Sequence, residues 1–177
     1  MNNTTKKITE TAMWIATAVV LDFLPLYKMP NGGSASLVML PLFFMIYRLD
    51  FKYGILGTIG YGFINFLLDG AAYGLWSLIL DYFVAFGVLT FSSIFKKKVN
   101  QGNIILFEIG IFIGAFLRYI IHGVAGMILW ETTFEYSFII YNLPYMGIST
   151  LLCLIVGIFV YIPLFPKSKE FIKKFKK

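Results

Sequence analysis

Four polar side chains, Asp81, Arg118, His122 and Asn142, lie inside long apolar runs of this chain, and their types define the chemistry on offer. An ionised carboxylate at the centre of a bilayer costs about 2.5–3.5 kcal/mol on insertion scales, so Asp81 needs a paired cation, water or a cationic ligand. Arg118 or His122 could supply the pair. Those two are four residues apart and share one helix face, which Gly126 and Trp130 continue. Such a face cannot be turned to lipid. Arg118 has acids to pair with in Glu108 and Asp22, whereas Gly123, Ala125 and Gly126 around His122 leave room for a ligand or for close helix packing. Near Asp81 in the expected fold stand Tyr73, Trp76, Tyr82, Trp130, Tyr136, Tyr141 and Tyr145. Interfacial belts account for many such rings. A carboxylate among Trp and Tyr faces is also what holds an organic cation, each cation–π contact contributing about 0.5–2 kcal/mol.

Positioning these groups requires membrane helices. With 59% hydrophobic and 14% charged residues among 177 and a mean hydropathy of +0.80, the chain is too apolar for a soluble domain of its size. Because backbone groups must be satisfied inside helices in lipid, the runs predict an all-α integral membrane protein of six transmembrane helices. The expected spans are 8–26, 35–47, 53–68, 75–95, 104–129 and 139–164, in a single domain covering 1–177. The second and third are short, which implies tilt, local thinning or a helix that does not cross fully. No small-residue cleavage site follows the first run, which contains Asp22, so it is expected to stay in the mature chain.

Orientation follows from the basic residues. Thirteen of the 15 Lys and Arg fall at alternate breaks and the C-terminal tail, Lys28 alone falls on the other side, and Arg118 lies within a span. That asymmetry places both termini in the cytoplasm. The net charge of +6 therefore reads as membrane orientation rather than nucleic-acid binding, and the tail from Lys167 to Lys177 as an anchor on anionic lipid. The lone Cys153 excludes a disulfide framework and a Cys/His metal pattern. No phosphate-cradling loop, H-E-x-x-H or G-x-S-x-G occurs, so the chain has no recognised device for hydrolysing ATP and few groups for catalysis. On the first span, Ala12 and Ala16 form a small-xxx-small face that packs either inside this chain or against a partner.

Four segments together resemble the thiamine-specific substrate-binding (S) components of energy-coupling factor (ECF) transporters. They are Pro30-Asn31-Gly32-Gly33-Ser34-Ala35-Ser36 with Met39-Leu40-Pro41; Leu80-Asp81-Tyr82 with Ala85-Phe86; Arg118-Tyr119 with His122, Gly126 and Trp130; and Tyr136-Ser137 with Tyr141-Asn142 and Tyr145-Met146. The resemblance implies a non-enzymatic thiamine receptor in the bacterial plasma membrane, without a cofactor, that docks on a scaffold membrane subunit and two ATPase subunits. It implies that Asp81 engages the ligand, that His122 and Trp130 contact or stack on its rings, and that Tyr82, Gly126, Tyr136 and Asn142 line the pocket. Ala12 and Ala16 match the docking pair. Two departures stand out. Relatives can carry glutamate where this chain has Asp81, and the tyrosine and asparagine should be five apart where Tyr136 and Asn142 are six apart. Either one residue is inserted near Ile139 or Ile140, or Tyr141 takes over the tyrosine's role. The loop from Met29 to Ser34 is expected to act as a lid. The nearest alternative within transport is an S component for riboflavin or a pyrimidine precursor.

Overall fold

The computed structural model describes residues 2–29, 33–70 and 74–168. Pro30, Asn31 and Gly32 of the expected lid, Tyr73, and the tail beyond Ser168 lie outside the described residues. Among the described residues, six helical segments run in order. Helix α1 is Asn3–Asp22, α2 is Met39–Arg48, and α3 is Phe51–Asn65 continued by a π-helical turn at Phe66–Gly70. Helices α4, Gly74–Val99, α5, Ile104–Leu129, and α6, Glu135–Leu164, are long and apolar enough to cross a membrane. Asn103 caps α5 by accepting from the Leu106 amide at 3.1 Å.

Helix α2 organises the bundle. Its residues from Met39 to Tyr47 are all buried, as expected of a helix that is apolar all round and enclosed by others. At ten residues it is about 15 Å long, half of the roughly 30 Å hydrocarbon. The expected second span began at 35, but Ser34–Ala35 forms strand β2, paired antiparallel with β1, Tyr27–Lys28. The Ala35 carbonyl accepts from the Leu26 amide at 2.9 Å, and Ser149 Oγ accepts from the Ser36 amide at 3.0 Å. With these backbone groups already bonded to other elements, the apolar stretch before Met39 is held out of the helix. The expected first span likewise overran: α1 stops at Asp22, ahead of Pro25, which disfavours a helical residue before it.

A column of rings ties the elements at the hairpin-distant end. Phe44 of α2 stacks on Phe107 of α5 at 5.2 Å, Phe107 on Tyr161 of α6 at 4.6 Å, and Tyr161 on Phe165 at 4.7 Å. The Tyr161 hydroxyl donates to the Val99 carbonyl at 2.5 Å. Arg48 pairs with Glu10 at 2.6 Å, and Lys7 with Asp50. The Lys7–Asp50 hydrogen bond raises the Lys7 pKa and lowers that of Asp50. Its stabilisation is therefore present above the ordinary carboxylate range and is lost as acid titrates Asp50.

Helices α5 and α6 approach closely at Gly123, where a Cβ would run into the Phe138 ring. That ring is pinned between Phe134, stacked at 4.6 Å, and Tyr119, edge-on at 5.5 Å. Gly123→Ala is therefore expected to destabilise the bundle by about 1–3 kcal/mol, the usual cost of overpacking. A thermal melt in detergent unchanged from wild type would show that the contact yields freely.

Candidate functional site

One cavity of about 780 Å³ opens at the hairpin end of the bundle. Every residue expected to contact a ligand lines it: Asp81, Tyr82, His122, Gly126, Trp130, Tyr136, Tyr141 and Asn142. They come from α4, α5 and α6. Asp69, Asp81, Tyr136 and Asn142 all sit in π-helical stretches, at Phe66–Gly70, Leu78–Val84 and Glu135–Asn142. Such turns place side chains where a regular α-helix does not.

The one-residue excess before Asn142 falls in the third of these. Residues five apart on an α-helix point about 140° away from each other. Tyr136 and Tyr141 instead stack with centroids 6.2 Å apart and planes 18° apart, the neighbour relation of i→i+5 geometry. Both tyrosines line the cavity.

Asp81 is paired. One carboxylate oxygen lies 3.1 Å from His122 Nδ1 and the other accepts from Ser77 Oγ at 3.0 Å. Of the partners open to it in the sequence, His122 is the one realised. With Asp81 ionised, His122 Nδ1–H donates and Nε2 carries the lone pair. Nε2 is buried and has no hydrogen-bond partner.

Asn142 is held on both sides. Its amide donates to the Ser137 carbonyl at 2.8 Å and its oxygen accepts from the Tyr145 hydroxyl at 2.5 Å. Gly126 serves packing as well as the cavity wall, since a Cβ there would meet Ser137 Oγ. Ser137 Oγ in turn donates to the Gly123 carbonyl at 2.7 Å. Trp130 is the C-cap of α5, and Glu131 after it takes φ 51, the left-handed turn that ends many helices.

The expected pairing of Arg118 with Glu108 or Asp22 does not occur. Among the described residues Arg118 makes no ion pair; its guanidinium lies over the Phe86 ring at 3.9 Å. Asp22 is held instead by the Asn65 amide. Sequence reasoning missed Tyr61, Asn65 and Asp69, which also line the cavity. A weak signal existed in Asn65 and Asp69, four apart and polar at the end of an apolar run. Among the described residues no group of three His, Cys, Asp or Glu could hold a metal ion.

On α1, Ala12 and Ala16 are exposed along with Thr9, while Ala18 is buried. The small-residue face thus points away from the chain's own helices.

Comparisons with known proteins agree along nearly the whole chain. The family described as "Thiamine transporter protein" matches residues 8–172. The chain is 30% identical to the thiamine transporter ThiT of Bacillus subtilis (strain 168), over 85% of this chain and 87% of that relative. A solved structure of ThiT from Listeria monocytogenes matches with a TM-score of 0.74 at 28% identity, covering 96% of this chain and 98% of the other.

Proposed function

Because the chain belongs to the thiamine transporter protein family, a multi-pass plasma-membrane family, we propose that it is the thiamine-binding S component of an ECF-type uptake transporter. It works with a shared scaffold membrane subunit and ATPases, since its own sequence has no motif for hydrolysing ATP. The 13-to-1 division of its basic residues supports six crossings with both termini in the cytoplasm and the cavity facing outward.

The observation that carries this reading is the convergence on one cavity of a carboxylate–histidine pair, several aromatic faces and a fixed side-chain amide. Thiamine has a permanent thiazolium charge and a flat aminopyrimidine. A site for it needs an anion, stacking surfaces and a few hydrogen-bond groups in a sheltered space, and pockets for such ligands measure about 300–1,000 Å³. Asp81 supplies the charge, and Trp130 and the tyrosines supply faces beside the His122 ring.

Titrating purified protein with thiamine while reading tryptophan fluorescence tests this. Sub-micromolar quenching by thiamine is expected, with riboflavin and free pyrimidines silent; the reverse order would move the specificity to another vitamin. Trp130→Ala is expected to lose affinity and Trp130→Phe to lose less, because a smaller aromatic face survives. Equal affinities for the two variants would remove Trp130 from the stacking role.

A further inference from the structure

Helix α6 holds the β1–β2 hairpin through a side chain outside the set expected to contact the ligand. In an antiparallel pair, successive backbone groups of a strand point to alternate sides. On β2 the Gly33 and Ala35 carbonyls face β1, where they accept from the Met29 and Leu26 amides at 3.0 and 2.9 Å. The Ser34 carbonyl and the Ser36 amide therefore face away from β1, as the free edge that a third strand would pair. One hydroxyl takes the place of that strand. Ser149 Oγ accepts from the Ser36 amide at 3.0 Å and donates to the Ser34 carbonyl at 3.4 Å. Ser36 and Ser149 are both buried, so these backbone groups depend on the serine rather than on bulk water.

A hydroxyl in such a helix ordinarily bonds its own preceding turn. Thr150, the next residue of α6, does so, donating to the Met146 carbonyl at 2.7 Å. Ser149 instead reaches a segment 113 residues away in sequence. The turn before it on the same helix adds two apolar contacts. Ala35 is fully buried in one cluster with Tyr145 and Met146, and the Tyr145 ring lies so close to Gly33, at φ 72, that a Cβ there would meet it at 3.0 Å. The hairpin seated in this way gives Lys28, Met29, Gly33, Ser34 and Ser36 to the cavity wall. We infer that Ser149 is a positioning residue for ligand retention: by completing the free edge of β2 it keeps the hairpin on α6 and slows escape of the bound vitamin. The inference rests on the thiamine reading above.

Two measurements on the full-length protein in detergent test it. Hydrogen exchange over residues 26–36, taken without ligand, reports how firmly the hairpin is seated. Stopped-flow tryptophan fluorescence with thiamine reports association and release. Ser149→Ala is expected to speed both the exchange and the release by about fivefold, the size of one lost hydrogen bond, and to change the release rate more than the association rate. Thr150→Ala removes a neighbouring hydroxyl that bonds within α6, and it should match wild type in both readings. If Ser149→Ala does not fold, Gly33→Ala, which pushes the hairpin away from the Tyr145 ring, decides by the same two readings. Unchanged exchange or unchanged release in the deciding variant, or an equal acceleration in Thr150→Ala, overturns the inference and leaves the thiamine reading standing. Absence of thiamine binding by wild type sinks both.

Discussion

Replacing Asp81 by alanine is expected to weaken thiamine binding at least tenfold, about 1.4 kcal/mol. Two losses combine. The thiazolium charge loses its nearest anion on α4, and His122 Nδ1 and Ser77 Oγ lose the oxygens that hold them at 3.1 and 3.0 Å. Without that anchor the imidazole is free to change tautomer and rotate. Asp81→Asn separates the two effects, since the amide keeps an oxygen for one neighbour while removing the charge. Loss in both variants assigns the effect to charge, whereas loss in alanine alone assigns it to the positioning of His122. Calorimetry showing wild-type affinity in a correctly folded Asp81→Ala protein would sink the assignment.

A second large effect is expected at α1. Ala12→Trp or Ala16→Trp should leave thiamine binding by the solitary protein intact and abolish ATP-dependent uptake in cells that supply the scaffold and ATPases. Both alanines are exposed on the bundle, so an indole there meets lipid or a partner rather than this chain's own helices. Small residues let helices approach in lipid, where no hydrophobic drive exists between them. Uptake at the wild-type rate with either tryptophan would put the docking face elsewhere. Loss of binding by the solitary protein would instead mean that the alanines pack internally.

The sequence made the helical bundle legible because lipid allows so few alternatives. Apolar runs must become helices there, and the fifth run matches α5 residue for residue. Legibility failed where backbone groups found other partners: Ala35 reads as the start of a span and lies in a hairpin. The site was legible through the expense of its polar residues, which drew attention to Asp81, His122 and Asn142. Pairing was not. Arg118 reads as an ion-pair former, yet it rests on an aromatic face at 3.9 Å, a contact that leaves no mark in residue spacing. Tyr61 was invisible for a different reason, because a tyrosine in an apolar run looks like any core ring until its hydroxyl is found buried.

The π turn before Asn142 appeared in the sequence only as a misfit of one residue. An i→i+5 turn takes up one additional residue and returns the helix to register beyond it, and such a turn spans Glu135–Asn142. Residue roles carried across from relatives therefore need structural placement within residues 135–142.

Helix α1 carries the alanine face and, at its last residue, Asp22 on the cavity wall. Ten positions separate Ala12 from Asp22, about 15 Å of helix, and no proline or glycine interrupts them. A rod of that length turns as one piece. Twisting it at the alanines swings the Asp22 carboxylate by the same angle and pulls on its amide partner Asn65 in α3. The exposed alanine face and one residue of the cavity wall thus belong to the same uninterrupted helix.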